Sequence, residues 1–442
     1  MMASHTTLEV KFLKLLEARQ IPQTLRPKIQ KVPQYLRNKN IFDKHYSPKS
    51  VSIGLIHYDN QNLKLGENYK LTLAAKYIRN THHTPESLHQ KIADHIDELK
   101  GLFAEDVLAL ASTAESLKGF RSLEEKLSWL LFVDGCFLLY ILDVKVNSVF
   151  DDQEDMNNIK FDQLFYLVMM DVLLLENQLP FLVLKLLWKN DNQNELIYTM
   201  MNFLTYYHWT IGHSQMKLLN VSEQPPAHLL DLQRKLILLY SKPKTKEESV
   251  RYSKSKEHIW LTVRNIEDLT AGGVNLKPSW STRPTDIEFS EGWFSAELTL
   301  PEIYVDDKSA SSFVNLIAYE MCPDFKNDYG IISFVVFIDT LIDHARDVKI
   351  LRSQGILVNA LGRDEDVADF FSIISTDLIF NPDTYVEVIA KIHYNHFNKG
   401  HIWFAQGYRT YFSNPWSIIG FLAAFIALAL TFVQAWFSIF PR

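Results

Sequence analysis

Apolar residues recur through 86–118 at steps of three and four: Leu88, Ile92, Ile96, Leu99, Phe103, Val107, Leu110, Ala114 and Leu117. The spacing averages close to the helical period and predicts one apolar stripe on a long helix or helix pair, with Gly101 as the break. Thr84-Pro85-Glu86 marks its start, with Thr84 as cap and Pro85 in the first turn. Next comes WLLFVDGCFLLYIL, residues 129–142, whose one charge is Asp134. A run that short is a fully buried core helix rather than a membrane span. Asp134 then requires a partner, because a lone buried carboxylate is costly. The stretch DVLLLENQLPFLVLKLLW at 171–188 is interrupted by Glu176, Asn177, Gln178 and Pro180. It predicts helix, cap and second helix, with Pro180 near the second helix's first turn.

Residues 241–258, SKPKTKEESVRYSKSKEH, are polar and Lys-rich and read as a flexible connector. After it, Ile259, Val263, Ile266 and Leu269 form a helix face stopped by Gly272-Gly273. Over 286–301 the period switches to two: Phe294, Ala296, Leu298 and Leu300 alternate with Ser295, Glu297 and Thr299. Ser290-Glu291-Gly292 supplies the turn of a small β-hairpin. Asp306-Asp307 is expected to cap a helix through Phe313, Ile317 and Met321, and Asp364 one through Val367, Phe370 and Phe371. The chain therefore divides into an N-terminal extension (1–28), a first helical half (29–240), the connector (241–258), a second helical half with the hairpin (259–412) and a terminal helix (416–440). The fold class is mainly α: a multi-helix globular body, one small hairpin and one C-terminal transmembrane helix.

That last helix is the strongest signal. Trp416 to Phe440, WSIIGFLAAFIALALTFVQAWFSIF, is 25 residues without a charge. At about 1.5 Å per residue it reaches about 37 Å, against a hydrocarbon core near 30 Å. Phe421, Leu422, Ile426, Leu430 and Phe432 would face lipid, while Trp416 and Trp436 suit the two interfacial belts. Gly420, Ala424, Ala427 and Thr431 share one helix face. They read first as filler in an alanine-rich helix and second as a close-approach face for a homo-oligomer. The N-terminus has no secretory leader pattern, so insertion after synthesis with the body in the cytosol is expected, at the plasma membrane or an endomembrane. Lys399 and Arg409 before the span, against Arg442 after it, point weakly the same way. The sequon Asn220-Val221-Ser222 would matter only for a lumenal body.

Composition narrows the function. With 45 Lys+Arg against 52 Asp+Glu the net charge is −7, which disfavours bulk nucleic-acid binding. Hydrophobic residues at 47% and charged residues at 22% give a real core and exclude a disordered chain. Two cysteines, Cys136 and Cys322, make no disulfide framework or zinc site and read as buried thiols. There is no GxSxG, GxxxxGK[ST], GxGxxG or HExxH. Asp151 to Asp155 begins like a calcium loop but lacks its glycine and terminal glutamate, so it reads as a solvated acidic loop. His82, His83, His89 and His95, and then His393, His396 and His401, lack the carboxylate or thiolate spacing of a metal site. Asp364, Glu365, Asp366 and Asp369 suit a helix start. No cofactor, metal or catalytic residue is expected. Asp134, Glu176, Asn177, Gln178 and Pro180 are read as structural, bracing the backbone at a buried helix junction.

The order of these landmarks resembles the plant family called domain of unknown function 247. The resemblance runs from about Lys31 to Phe440. It rests on KVPQYLR (31–37), SPKSVSIG (47–54), VDGCFLL (133–139), DVLLLENQLPF (171–181), NLIAYEMC (315–322), FIDTLIDHARDVKILRSQGI (337–356), LGRDEDVADFF (361–371) and FSNPWS (412–417). LLLENQLPF and DGCF together are highly specific. The chain departs from the family at Leu55 to Asp59, where a proline and two histidines are usual, and at His393 to Trp403. The resemblance implies a mainly helical plant protein with one C-terminal span and no established catalytic activity. Some members are associated with self-incompatibility in grasses, which implies recognition of an unknown protein partner. Two other readings compete: a membrane-bound enzyme assembled from Asp134, Glu176 and His57, and an endomembrane scaffold whose span oligomerises.

Overall fold

The computed structural model describes residues 27–37, 42–58, 60–143, 159–190, 192–207, 225–238, 260, 264–279, 283–292, 296–325, 328–397 and 415–439, with isolated positions 8, 11, 12 and 15 ahead of them. The connector 241–258, the acidic run Asp151 to Asp155, the sequon and His401 lie outside the described residues. The molecule is mainly α. Contacts divide it into two compact units. One holds Met1–Phe203, Asn220–Leu232 and Val314–Asp328, the other Leu204–Leu219, Gln233–Phe313 and Tyr329–Arg442.

The first unit contains α1 (Gln34–Arg37), α2 (Phe42–His45), α3 (Lys64–Asn80), α4 (Pro85–Asp94), α5 (Ile96–Lys100), α6 (Glu105–Ala111), α7 (Leu123–Asp143), α8 (Ile159–Asp171) and α9 (Phe181–Leu187). Most of α10 (Gln193–Tyr207) and the start of α11 (Leu229–Leu238) also belong to it. Helix α7 is the apolar run read from the sequence, buried along nearly its whole length. Its start is fixed by Ser122, whose Oγ accepts from Glu125 N at 3.2 Å. Helices α3, α4 and α9 pack on it. Gly135 permits the approach of α9, since a Cβ there would stand 2.4 Å from Leu187 Cδ1 and 2.9 Å from Val183 Cγ1.

The stripe at 86–118 does not form one helix or a pair. Thr84 caps α4 as expected, accepting from Ser87 N, with Pro85 leading, but the chain then breaks into α4, α5 and α6. The cause lies far off in sequence. Ile29 N donates to Leu102 O at 2.8 Å and Ala104 N donates to Ile29 O at 2.9 Å, which pairs Phe103 with Ile29 in a bridge. The phase slips there, so Ala111 is buried and Leu110 is 41% exposed. Likewise α8 ends at Asp171, and 172–180 is irregular before α9, with Pro180 at its N-cap position.

The second unit contains α12 (Ile266–Ala271), β1 (Val274–Ser279), β2 (Glu288–Glu291), β3 (Ala296–Pro301), β4 (Ile303–Val305), the start of α13 (Asp307–Glu320), α14 (Gly330–Leu341), α15 (Ala345–Ser353), β5 (Leu357–Asn359), α16 (Asp364–Ser375), α17 (Val386–Phe397) and α18 (Pro415–Ile439). Antiparallel β2 and β3 are the hairpin, with Ala296, Leu298 and Leu300 inward, but Ser290 and Glu291, expected in its turn, instead pair with Glu297 and Ala296 as strand residues. The structure adds β1, parallel to β3, and a separate parallel pair of β4 with β5. Asp306 caps α13 by accepting from Ser309 N at 2.7 Å. In α16 the cap position belongs to Arg363, and Asp364 is the first helical residue. Asp364 instead accepts from Asn359 Nδ2 at 3.0 Å. Helices α14 and α15 pack on α16, with Phe313, Phe334 and Phe371 in ring contact.

Candidate functional site

Three consecutive side chains between α8 and α9 each fasten a different stretch of backbone in the first unit. Glu176 Oε1 accepts from Val32 N at 2.7 Å and pairs with the Arg37 guanidinium, while Oε2 lies 3.1 Å from His57 Nε2. Asn177 Oδ1 accepts from Ile53 N at 2.6 Å, and its Nδ2 donates to Asp171 O at 3.0 Å and Val51 O at 3.2 Å. Gln178 Nε2 donates to Val172 O at 2.8 Å and Leu174 O at 2.9 Å, and its Oε1 accepts from Leu230 N at 3.0 Å. These contacts also explain why 172–180 is not helical: its backbone groups are engaged by side chains instead of by the next turn.

A strap from Lys49 to Gly54, buried from Ser50 onward, is held by side chains of several elements. Asp171 accepts from the amides of Lys49, Ser50 and Val51 and from Ser50 Oγ at 2.6 Å. Glu67 takes Ser52, with Oγ at 2.8 Å, Asn177 takes Ile53, and Asp134 Oδ2 takes Gly54 N at 2.8 Å. Gly54 has φ +78°, a conformation open to glycine at little cost. The amides of Lys49 to Gly54 are thus satisfied by side chains rather than by a neighbouring strand.

Asp134 has the partner that burial requires: Lys70 Nζ lies 2.7 Å from its Oδ1 and 2.8 Å from Glu67 Oε2. Lys70 is 2% exposed. Burial opposes its charge, yet the carboxylates of Asp134 and Glu67 hold its pKa above the ordinary lysine value. Burial, with Arg37 adding repulsion, lowers His57 to about 4, so the ring is neutral at pH 7. Its Nε2 lies 3.1 Å from Glu176 Oε2. Cys136 and Cys322 are both buried thiols, and burial pushes Cys136 up to about 12.

Of the residues suggested for an enzyme site, Glu176 and His57 touch, while Asp134 binds Lys70 and Gly54. Glu176 and Asp134 are each 1% exposed, and both hold backbone amides. The arrangement braces loops. Two histidines of the first cluster serve locally: His89 meets Ser128 Oγ at 3.2 Å and the rings of Trp129 and Phe132, and His95 Nδ1 meets Lys91 O. Among the described residues no group of three His, Cys, Asp or Glu could hold a metal ion. Sequence reasoning missed Lys70, Asp171 and Asn315. The last accepts from Leu175 N and donates to His45 O, both at 2.8 Å. The available signal was a lysine three residues after a glutamate in α3.

The other candidate is α18. Its 25 residues include the window Ile419–Trp436, with mean hydropathy 2.0 and none of it buried, long and apolar enough to cross a membrane by length and composition. Trp416, Phe421, Leu422, Ile426, Leu430, Phe432 and Trp436 are all exposed, as are Gly420, Ala424 and Ala427. Thr431 Oγ1 donates to Ala427 O at 2.7 Å, so its hydroxyl needs no outside partner.

Comparison with known proteins gives a consistent picture. The model of a family described as plant protein of unknown function, DUF247, matches residues 29–430. UPF0481 protein At3g47200 of Arabidopsis thaliana is 25% identical over 416 residues, spanning 89% of this chain and 82% of that protein. Putative UPF0481 protein At3g02645 of the same plant is 21% identical over 485 residues, spanning 89% and 87%. No solved structure matches.

Proposed function

The chain belongs to the plant DUF247 family of unknown function, and on that premise we propose that it is a membrane-tethered, non-enzymatic recognition protein. Helix α18 is the single-pass anchor, in the plasma membrane or an endomembrane, and the helical body faces the cytosol and binds a protein partner. One observation carries this reading: in a 25-residue uncharged helix, none of the apolar window Ile419–Trp436 is buried. In water that much bare apolar surface would drive aggregation, whereas in lipid it is at its solubility optimum. The commitment of Asp134, Glu176 and Asn177 to backbone bracing supports a structural body over a catalytic one. A self-incompatibility-like role, in which the body distinguishes between partners, is one form this recognition could take.

The test uses the full chain in plant cells with photo-crosslinking groups on the body. Recognition predicts a discrete crosslinked protein that persists when 416–440 is replaced by an unrelated apolar helix of equal length. No discrete crosslink, together with turnover of a small molecule by purified chain that Glu176→Gln abolishes, contradicts it. Self-association through Gly420, Ala424 and Ala427 is a second reading, favoured by the exposure of that face. Changing Gly420 and Ala424 to Leu would then abolish dimers in lipid.

A further inference from the structure

The second unit carries a cavity of about 410 Å³ lined by Ala345, Arg346, Lys349, Arg352, Gly362, Arg363, Asp364 and Glu365. Arg346, Lys349 and Arg352 recur every third residue on α15, opposite the buried Asp347, Val348 and Leu351. That spacing puts the three cations on the outer face of one helix. Arg363 joins them from the position just ahead of α16.

The carboxylates nearby change what this cluster can do. Arg346 Nη1 lies 3.3 Å from Glu267, Arg352 Nε 3.4 Å from Asp364, and Arg363 Nη2 2.8 Å from Asp366. With these acids counted, the rim has little net charge, so it exerts no strong long-range pull on an anion. The acidic first turn of α16 also answers that helix's own terminal partial charge. What remains is short-range. Asp366 takes the Nε–Nη2 edge of Arg363, while Glu267 and Asp364 each meet a single nitrogen of Arg346 and Arg352, so of five N–H donors on each guanidinium others stay uncommitted. Lys349 has no hydrogen bond or ion pair among the described residues. Four steadied or free cationic heads around one small cavity match a tetrahedral group with several acceptor oxygens better than a flat carboxylate with two.

We propose that the Arg346, Lys349, Arg352 and Arg363 cavity binds a small phosphate monoester, with Lys349 and the uncommitted guanidinium edges donating to its oxygens. The depression is open to solvent, so the contact it offers is to the phosphate oxygens rather than an enclosure of the whole ester. The ester could be free in solution or carried on a lipid headgroup.

The experiment uses the full chain in nanodiscs of phosphatidylcholine, with inositol bisphosphate as the soluble probe and phosphatidylinositol phosphate in the disc as the lipid-borne one. Lys349→Glu is the informative variant, because Lys349 is exposed and makes no hydrogen bond or ion pair among the described residues. Saturable binding of either probe, at a Kd of about 1 mM or tighter, is expected. Lys349→Glu should weaken it about tenfold without moving the melting temperature, and Lys349→Arg should restore it. Binding of the soluble probe identifies a free ester as sufficient, whereas binding only in the disc identifies the headgroup. The proposal is overturned if neither probe binds saturably, or if Lys349→Glu binds as the natural chain does. Neither result bears on the anchor or on partner crosslinking, so the two readings fail separately.

Discussion

Replacing Lys70 by Met strips Asp134 of the ammonium 2.7 Å away and leaves it one amide, Gly54 N, inside the core. A buried pair broken from one side costs about 3–5 kcal/mol, because the survivor keeps its desolvation penalty. Asp134→Asn should cost less, about 1–3 kcal/mol. Lys70 would still hold Glu67 at 2.8 Å, and the new amide oxygen could accept from Gly54. The asymmetry follows from one cation serving two carboxylates. The double variant should fall short of the summed single losses by about 2 kcal/mol or more, as coupled neighbours do. For a unit of this size 1 kcal/mol moves the melting temperature by about 2–4 °C, so Lys70→Met should lower it by roughly 10 °C. Near-ultraviolet circular dichroism of the full chain in mild detergent reads the shift. Raised pH should mimic the variant: the lysine's folded pKa lies above its ordinary 10.5, so its stabilisation is complete below that value and lost as pH climbs through the raised one. A Lys70→Met chain melting within about 2 °C of the natural one, or an Asp134→Asn chain that loses more than it, would refute the reasoning.

Three further outcomes follow from the same brace. Gly66→Ala places a Cβ 1.8 Å from Ser50 O, a backbone atom that cannot rotate away, so a loss above about 3 kcal/mol is expected in thermal melts. Asn177→Ala frees Ile53 N, Val51 O and Asp171 O at once, costing on the order of 3 kcal/mol, and the Ile53 amide should lose hydrogen-exchange protection. His57 is neutral in the fold down to about 4 but takes a proton near 6.5 once unfolded. Stability should therefore fall as pH drops from 6.5 toward 4, by up to about 3 kcal/mol, and His57→Gln should flatten that slope in urea titrations.

What the chain revealed and what it hid divide along sequence distance. The apolar run of α7, the cap at Thr84, the hairpin at 288–301 and the long uncharged α18 all depend on neighbours within a few positions. The polar triplet at 176–178 was legible as a brace because charged and amide groups in an apolar run must be satisfied. Their partners were not legible. Val32 meets Glu176 from 144 positions away and Gly54 meets Asp134 from 80. The same holds for the broken stripe at 86–118, since nothing local to Phe103 announces that Ile29 will pair with it. The cations of α15 and Arg363 converge only once β5 has turned the chain back.

Alkaline carbonate extraction of membranes from plant cells making the full chain tests the proposed anchor most directly. The chain should stay in the membrane pellet, and a chain ending before Pro415 should leave it. Full-length chain released to the supernatant without detergent would contradict a spanning α18, and with it the reading of this protein as one that recognises its partner from a bilayer.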